Sequence, residues 1–313
     1  AKIKRYIDTA INGPKFLAKH LKDFKPDVLH WHDYYHSSIL TKLVSFKGIK
    51  VCTNHSSGFL EQFEKGGLWI AYLKALVSHS DLIIGPSDEL TEKSKITQKL
   101  VRFIPNGVDT KLFQPGRHNE IRMKYGEKQG TDIKLIIAPR RLDPKNGLFY
   151  FVKAIKEVVS SIPEARFGII GGGSKYLEEQ YLLLAKEDGV QSYLTITGNV
   201  PYDEMQKIIP SSDLVVIPSL MEAVSLAALE GLSCGIPVIA TNVGGLPHIV
   251  NSSNGEIILP KNHQELAKAI INNLSDKKSY IEKSRNARAG VEHDFSWDAV
   301  AKKTLKAYEA VNG

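Results

Sequence analysis

The stretch of sequence that decides the fold is DLVVIPSLMEAVSLAALEGLSCGIPVIA, residues 213–240. It begins with the apolar run 213–217 and ends with a second apolar run, 237–240, and a helical pattern that starts near Ser225 separates the two. Runs that are apolar on both faces are typical of parallel strands covered by helices. The stretch therefore predicts a strand, a short loop that carries Glu222, a helix and a second strand.

The same alternation of short apolar runs and helical patterns extends along the rest of the chain. The other runs lie at 27–30, 49–52, 81–84, 101–104, 134–137, 165–170 and 194–196. The alternation breaks once, over residues 112–131, where Pro115, Gly116 and Gly130 interrupt it. We therefore predict an α/β fold with two doubly wound, Rossmann-like parallel-sheet domains that face a cleft.

The break places the first domain at residues 1–112 and the second at 113–295. A last amphipathic helix at 296–313, with Ser296 as its N-cap, is expected to pack back on the first domain. The first domain offers only about four strands, so we expect it to be incomplete. Ligands of doubly wound domains bind at the carboxyl ends of the strands, which favours a nucleotide or a phosphorylated ligand.

Composition and charge exclude several classes of protein. Of the 313 residues, 42% are apolar and 24% are charged, which are globular values. The two cysteines, Cys52 and Cys234, have no CxxC spacing, so we expect a reduced, cytoplasmic enzyme without a disulfide framework. Residues 1–112 carry 17 of the 41 lysines and arginines against 11 of the 34 acidic residues. These lysines are dispersed, so we predict no nucleic-acid partner; an anionic membrane surface, an acidic substrate and plain solubility all fit the charge.

Two carboxylates, Glu222 and Glu230, lie within the stretch 213–240. If both were helical, their backbones would stand about 12 Å apart, which fits poorly with the spacing of about 5–9.5 Å in glycoside hydrolases. Separate roles, in which each accepts hydrogen bonds from a different sugar ring, fit better. A buried helix with one solvated and one capping glutamate is the alternative. The first N–H groups of the helix suit a diphosphate.

Glu222 and Glu230 also form the E-x7-E pattern of the family 4 (group 1) retaining glycosyltransferases, which have the GT-B fold. The chain resembles this family over residues 27–313, because further motifs occur in the family's order. These are PNGVD at 105–109, RLDP at 141–144, TGNV at 197–200, CGIPV at 234–238 and VGGLP at 243–247.

The resemblance implies a sugar transfer from a nucleoside-diphosphate sugar to an acceptor hydroxyl, with retention of configuration and without a metal. A UDP-sugar is favoured over a GDP- or ADP-sugar. Glu230 would hold the donor ribose, and Glu222 the donor sugar. Arg141 would clamp the phosphates, as its fork of donors suits. The remaining donor-site residues would be Gly198 and Val200 beside the nucleobase, and the backbone of Val224, Ser225 and Leu226 at the diphosphate.

Two segments depart from the family's usual sequence. The family has Arg-Leu-x-x-x-Lys-Gly, whereas this chain has Asn146 at the lysine position and Lys145 one residue earlier. Either Lys145 supplies the charge, which we favour, or Asn146 donates a neutral hydrogen bond. The segment EAVS at 222–225 replaces the common EGFG, which leaves the shape of the sugar pocket open.

The acceptor side is expected in the first domain. His55 resembles the family's active-site histidine, and we predict a catalytic role for His55, Glu222 and Arg141. His32 and Asp33 lie at the end of the first predicted strand and would face the acceptor. A metal site at His30 and His32 is an alternative, as is plain packing. A lipid-linked or glycan acceptor, with peripheral contact to an anionic inner membrane surface, fits the basic first half.

Two alternative functions stay open. An incomplete first domain would leave a nucleotide-sugar-binding fragment without turnover. Another GT-B-like enzyme, an epimerase or a phosphorylase, has the same architecture. The glycine run at 171–173 does not match GxGxxG, so we interpret it as a tight turn of the family rather than a dinucleotide site.

Overall fold

The computed structural model of this chain describes residues 2–128 and 132–311. It divides into two compact units: unit 1 comprises Ala1–Pro105 and Ala301–Gly313, and unit 2 comprises Asn106–Val300. The sequence instead indicates a boundary after residue 112 and a returning segment from residue 296. The difference arises because residues 106–113 fold with unit 2, where Val108 forms a bridge with Ser296 and Phe113 is fully buried.

Unit 1 is built on a parallel four-stranded sheet whose strands are neighbours in chain order. The strands are β1 (Val28–His32), β2 (Ile49–Thr53), β3 (Leu82–Gly85) and β4 (Leu100–Phe103). The helices are α1 (Lys2–Phe24), α2 (His36–Lys42), α3 (Ser57–Glu64), α4 (Gly67–Val77) and α5 (Asp88–Ser94). The four strands predicted in the first half are confirmed to within two residues.

Unit 2 is built on a parallel six-stranded sheet. The strands are β5 (Lys134–Ala138), β6 (Ala165–Ile169), β7 (Leu194–Ile196), β8 (Leu214–Ile217), β9 (Val238–Thr241) and β10 (Gly255–Ile258), in the order β10-β9-β8-β5-β6-β7. The helices are α6 (Asn119–Lys124), α7 (Leu148–Ser161), α8 (Lys175–Glu187), α9 (Tyr202–Ile208), α10 (Leu226–Ser233), α11 (His263–Ser275) and α12 (Lys277–Asp294). The last helix of the chain is α13 (Trp297–Glu309), and Ser296 caps it by accepting from the Ala299 N–H at 3.2 Å.

Both faces of the sheet in unit 2 are covered, as its apolar runs predict. Ile136 and Ala138 of β5 join a core with buried residues of α7, α8 and α11. Leu135 and Ile137, which alternate with them, join a second core with buried residues of α9, α10 and α12. A strand that buries both sets of side chains has no polar alternation, which is why the sequence shows continuous apolar runs.

One strand of unit 2 has no counterpart among the predicted strands. β10 lies at the edge of the sheet and pairs only with β9. Its Glu256 and Ile257 are partly exposed, so the segment lacks the continuous apolar run of a central strand. Within residues 2–128 and 132–311, no helix combines the length and apolar character that crossing a membrane requires.

Candidate active site

The loops that follow β5 and β8 meet where the strand order of unit 2 reverses. β5 and β8 are neighbours in the sheet, and the strands on either side of them continue in opposite directions. Such a reversal leaves a crevice outside the carboxyl ends of the two strands, where open parallel sheets bind ligands. Arg140 lies two residues after β5, and Ser219 lies two residues after β8. Both side chains therefore belong to this crevice.

The guanidinium of Arg140 joins the two loops. Its Nη2 donates to Ser219 Oγ at 2.9 Å and to Asn146 Oδ1 at 2.7 Å. The same nitrogen donates to Glu222 Oε2, with which it forms an ion pair. The side chains of Arg140 and Glu222 are each 13% exposed, so water screens this pair only weakly. The pair fixes the carboxylate of Glu222 at the crevice.

Asn146 holds the side chain of Arg140 in position through hydrogen bonds. The residue is buried, and its Nδ2 donates to the backbone oxygen of Arg141 at 2.8 Å while its Oδ1 accepts from Arg140. The same turn also holds the opposite loop, because the Leu220 N–H donates to the Lys145 oxygen at 2.7 Å. Asn146 thus fills the lysine position of the motif with an amide whose oxygen is aligned on a cation.

Gly244 sets the position of the Glu222 backbone. Its φ of +52° lies in the left-handed region, and a Cβ added there would meet the Glu222 carbonyl oxygen at 1.5 Å. The next residue, Gly245, donates its N–H to the Ala223 oxygen at 3.2 Å. Only a glycine permits this approach, so the VGGLP motif supports the loop that carries Glu222.

The glycine run at 171–173 packs directly against the Arg140 loop. A Cβ at Gly171 would meet the Arg140 carbonyl oxygen at 2.4 Å, and one at Gly173 would meet the Leu142 oxygen at 2.5 Å. A Cβ at Gly172 would lie 2.6 Å from Asn199 Oδ1. The run is therefore a tight turn in which the backbone of the Arg140–Leu142 loop and the Asn199 side chain leave no space for a Cβ.

Helix α10 starts directly behind Glu222, which lies in the preceding loop and not on the helix. Its N-cap is Ser225, whose hydroxyl accepts from the Ala228 N–H at 3.3 Å. Glu230 lies on the second turn of α10 and is 8% exposed. Burial raises the pKa of Glu230 to about 7, and a hydrogen bond from the Tyr202 hydroxyl offsets this in part. A buried carboxyl whose pKa lies near neutrality is typical of a functional site.

The predicted donor-site residues all lie in unit 2, either on the loops at the carboxyl ends of its strands or on helix α10. Glu222, Val224, Ser225, Leu226 and Glu230 belong to the loop after β8 and to α10. Arg141, Lys145 and Asn146 follow β5, and Gly198 and Val200 follow β7. Arg141 and Lys145 are exposed, whereas Asn146 is buried. A pocket of about 350 Å³ adjoins this region, and Val200, Asn199 and Glu204 contribute to its lining.

The predicted acceptor-side residues lie in unit 1 at the carboxyl ends of β1 and β2. His32 Nδ1 and His55 Nε2 share a hydrogen bond of 2.8 Å, and their rings stack. Asp33, with a φ of +67°, donates its N–H to the Thr53 oxygen at 2.8 Å. His32 and Asp33 are exposed, and His55 is half-buried.

His30 has a different role. Its Nδ1 lies 2.6 Å from the Tyr308 hydroxyl of α13, and its Nε2 lies 2.7 Å from the Thr53 hydroxyl. Burial, helped by His32 and His55, lowers the pKa of His30 to about 4, so the ring is neutral at pH 7. Because both ring nitrogens have hydrogen-bond partners, the contacts favour a packing role for His30 over that of a metal ligand. In the described part of the chain, no group of three or more His, Cys, Asp or Glu side chains is placed to hold a metal ion.

Arg140 is a site residue that the sequence motifs did not reveal. The motifs indicate Arg141 as the phosphate clamp, which stays a prediction, and they give no signal that the preceding arginine contacts Glu222. The detectable signal is the arginine doublet two residues after a central strand, at the predicted carboxyl edge. The direction of each arginine, however, depends on the loop after β8, which is remote in sequence.

Family models match most of the chain. The model "Glycosyl transferases group 1" matches residues 119–290, and "Glycosyltransferase Family 4" matches residues 4–112. An uncharacterized glycosyltransferase of Methanocaldococcus jannaschii is 29% identical over 309 residues, which cover 91% of this chain and 75% of that protein. A D-inositol 3-phosphate glycosyltransferase of Segniliparus rotundus is 29% identical over 75% of this chain, and a phosphatidylinositol N-acetylglucosaminyltransferase gpi3 subunit of Schizosaccharomyces pombe is 27% identical over 84%. The chain spans about half the length of these last two relatives, 53% and 56%.

Solved structures share the fold. Sucrose-phosphate synthase from Thermosynechococcus elongatus has a TM-score of 0.80 at 22% identity, over 98% of this chain and 79% of that one. Anabaena HepE, solved in complex with UDP and glucose, has a TM-score of 0.77 at 19% identity, over 95% of this chain and 80% of that one. At these identities the likeness establishes the architecture alone.

Proposed function

This chain belongs to the group 1 glycosyl transferases and is a GT-B glycosyltransferase, and from that premise we propose that its donor is a nucleoside-diphosphate sugar and that it transfers the sugar with retention of configuration. The observation that carries the proposal is the crevice at the strand-order reversal of unit 2. There the Arg140–Glu222 pair, the N-terminus of α10 and the buried Glu230 occur on adjoining loops.

The chemistry of these groups matches the parts of such a donor. Glu230 is an acceptor for the two ribose hydroxyls, and its ionised form binds them best. The backbone N–H groups at Val224, Ser225 and Leu226 and the positive end of α10 suit the diphosphate. Arg141 and Lys145 add positive charge to the same loop. Glu222 is left for the hydroxyls of the sugar, and Gly198 and Val200 for the nucleobase.

The proposed step exchanges one glycosidic bond for another. The bond between the anomeric carbon and the β-phosphate oxygen breaks, and its electron pair leaves with the diphosphate. A bond to the acceptor oxygen forms on the same face of the sugar, and the acceptor proton passes to the departing phosphate. Negative charge grows on the diphosphate as the ring becomes cationic, so preorganised N–H groups and cations lower the barrier there. HepE, whose UDP and UDP-glucose complexes are solved, supports a UDP-sugar as the donor.

The acceptor side is proposed in unit 1. His55, held by His32, is the proposed catalytic residue there, and Asp33 the third acceptor-side residue. Relatives whose names include inositol phosphate and phosphatidylinositol support a lipid-linked or phosphorylated acceptor. We propose a cytoplasmic enzyme that contacts an anionic membrane surface peripherally, which the net charge of +7 favours.

A thermal-shift panel tests the donor site. UDP, GDP, ADP and their sugars are added in turn, with and without EDTA. A ligand at about 100 times its Kd stabilises the folded state by about 2.7 kcal/mol, which shifts the Tm by several degrees. The proposal predicts a shift for one base that EDTA leaves unchanged and that Glu230→Ala abolishes. Equal shifts in the wild type and in Glu230→Ala would refute it.

Proton NMR tests retention. The spectrum gives the anomeric configuration of the first product, which is either the sugar released by slow hydrolysis or the linkage formed on an acceptor. This configuration is compared with that of the donor. The proposal predicts the same configuration in both. An inverted first product would overturn the proposed same-face step while leaving the donor site intact.

A further inference from the structure

We propose that Arg140 binds the diphosphate of the donor directly and acts as the principal cation of the leaving-group site. The inference rests on the proposed function and deepens it, because it assigns to the buried Arg140 the charge that the motif suggests for Lys145. Its basis is the incomplete hydrogen bonding of a guanidinium at the strand-order reversal.

The guanidinium of Arg140 is buried, and its hydrogen-bond donors are not all satisfied. A guanidinium carries five N–H groups, two of them on Nη2. Nη2 faces three acceptors, on Ser219, Asn146 and Glu222, which exceed its two hydrogens. Nε is buried and, among the described residues, has no acceptor. A buried N–H without an acceptor is costly, and a phosphoryl oxygen would satisfy it through a strong charge-assisted bond.

The neighbouring cations are less well placed to fix a phosphate. Arg141 and Lys145 are exposed, so water screens their charges and their side chains lose conformational freedom when they bind. Arg140 is 13% exposed and is already aligned by Asn146, which is itself buried. Asn146 at the motif's lysine position thus leaves the positive charge to Arg140. A preorganised cation in a weakly screened site stabilises developing charge most effectively.

The competing explanation is that Arg140 only holds Glu222 in place. The two explanations differ in what happens when Glu222 loses its charge. If Arg140 serves only Glu222, Arg140→Gln and Glu222→Gln disturb the same pair and change nucleotide affinity alike. If Arg140 binds the diphosphate, Glu222→Gln removes a nearby negative charge and frees the guanidinium. Affinity for the diphosphate then stays the same or rises.

The test measures Kd by calorimetry for UDP, GDP and ADP, and for the corresponding nucleosides, which lack phosphate. Arg140→Gln is expected to weaken binding of the preferred diphosphate about 10- to 100-fold and binding of its nucleoside by less than threefold. Glu222→Gln is expected to bind the diphosphate at least as tightly as the wild type. Arg285→Gln, at an exposed arginine of α12, is the control and should match the wild type.

Three results would overturn the inference: wild-type affinity in Arg140→Gln, equal losses in Arg140→Gln and Glu222→Gln, or an equal loss for nucleoside and diphosphate. If Arg140→Gln does not fold, Arg140→Lys carries the same test, with an expected loss of about 3- to 10-fold because lysine keeps the charge without the fork. If the wild type binds none of the three diphosphates, the proposed donor site falls together with this inference. If it binds one and Arg140→Gln binds it equally well, only this inference falls.

Discussion

Replacing Glu230 by glutamine is expected to stabilise the unliganded protein above neutral pH while it weakens donor binding. Burial raises the pKa of Glu230 from 4.5 to about 7. Between those two values the folded chain keeps a proton that the unfolded chain has released, so the free energy of unfolding falls as the pH rises through this window. Above pH 7 the folded protein holds a buried carboxylate and bears the full cost.

The magnitude follows from the difference between the two pKa values. A difference of about 2.5, at about 1.4 kcal/mol for each pH unit, amounts to about 3 kcal/mol at pH 8 and less than 1 kcal/mol at pH 5. Glutamine has the same shape and keeps an acceptor for the Tyr202 hydroxyl, but it carries no charge. For a unit of this size the gain at pH 8 corresponds to a rise in Tm of about 5–10 °C.

The assay is thermal denaturation, followed by circular dichroism, of the wild type and Glu230→Gln at pH 5 and pH 8. The control is Glu282→Gln at an exposed glutamate of α12, whose Tm should follow the wild type at both pH values. A Glu230→Gln protein that melts below the wild type at pH 8, by the same amount as at pH 5, would refute the reasoning. Glu230 would then be a stabilising structural acceptor and not a carboxylate retained for a ligand.

Three further predictions follow from the same contacts. Affinity for the preferred nucleotide sugar should fall about tenfold from pH 8 to pH 6, because only about one Glu230 in eleven is ionised at pH 6 when its pKa is about 7. Calorimetry of Glu230→Gln should show no such dependence on pH. A dependence that persists in this variant would assign the titration to another group. Gly244→Ala should lower the Tm by several degrees and reduce turnover at least tenfold, because its Cβ would strike the Glu222 carbonyl, whereas Gly290→Ala, where a Cβ meets nothing within 4 Å, should do neither. His55→Ala should lower the transfer rate at least a hundredfold without changing the Kd of the nucleotide, since His55 lies in unit 1. A matching loss of nucleotide affinity would place His55 in the donor site instead.

The architecture was predictable because a strand that is buried on both faces of its sheet has a continuous apolar sequence. Runs such as 134–137 and 213–217 have no polar alternation, and each became a central strand of unit 2. β10 was not predicted, because it contains Gly255 and Glu256 and therefore shows no continuous apolar run. The boundary of unit 2 lies before the break in the pattern at 112–131, because Val108, which precedes the break, packs in unit 2 together with Phe113.

The candidate site was predictable in its loops but not in its contacts. Glu222 and Glu230 stand out by spacing and resemblance, and the helix that starts at Leu226 confirms the predicted strand–loop–helix order. The use of Arg140 depends on Ser219 and Glu222, about 80 residues away in the chain, so no local pattern reveals it. The raised pKa of Glu230 depends likewise on burial by surrounding elements, which spacing does not encode.

Hydrogen–deuterium exchange with and without the preferred nucleoside diphosphate tests the central claim, that the donor site is the crevice of unit 2. Binding slows exchange of amides whose opening it suppresses. A donor site in this crevice predicts protection in the loops 139–147, 197–201 and 218–226, and the loss of that protection in Glu230→Gln. Protection confined to unit 1, or to segments of unit 2 outside these three loops, would contradict it.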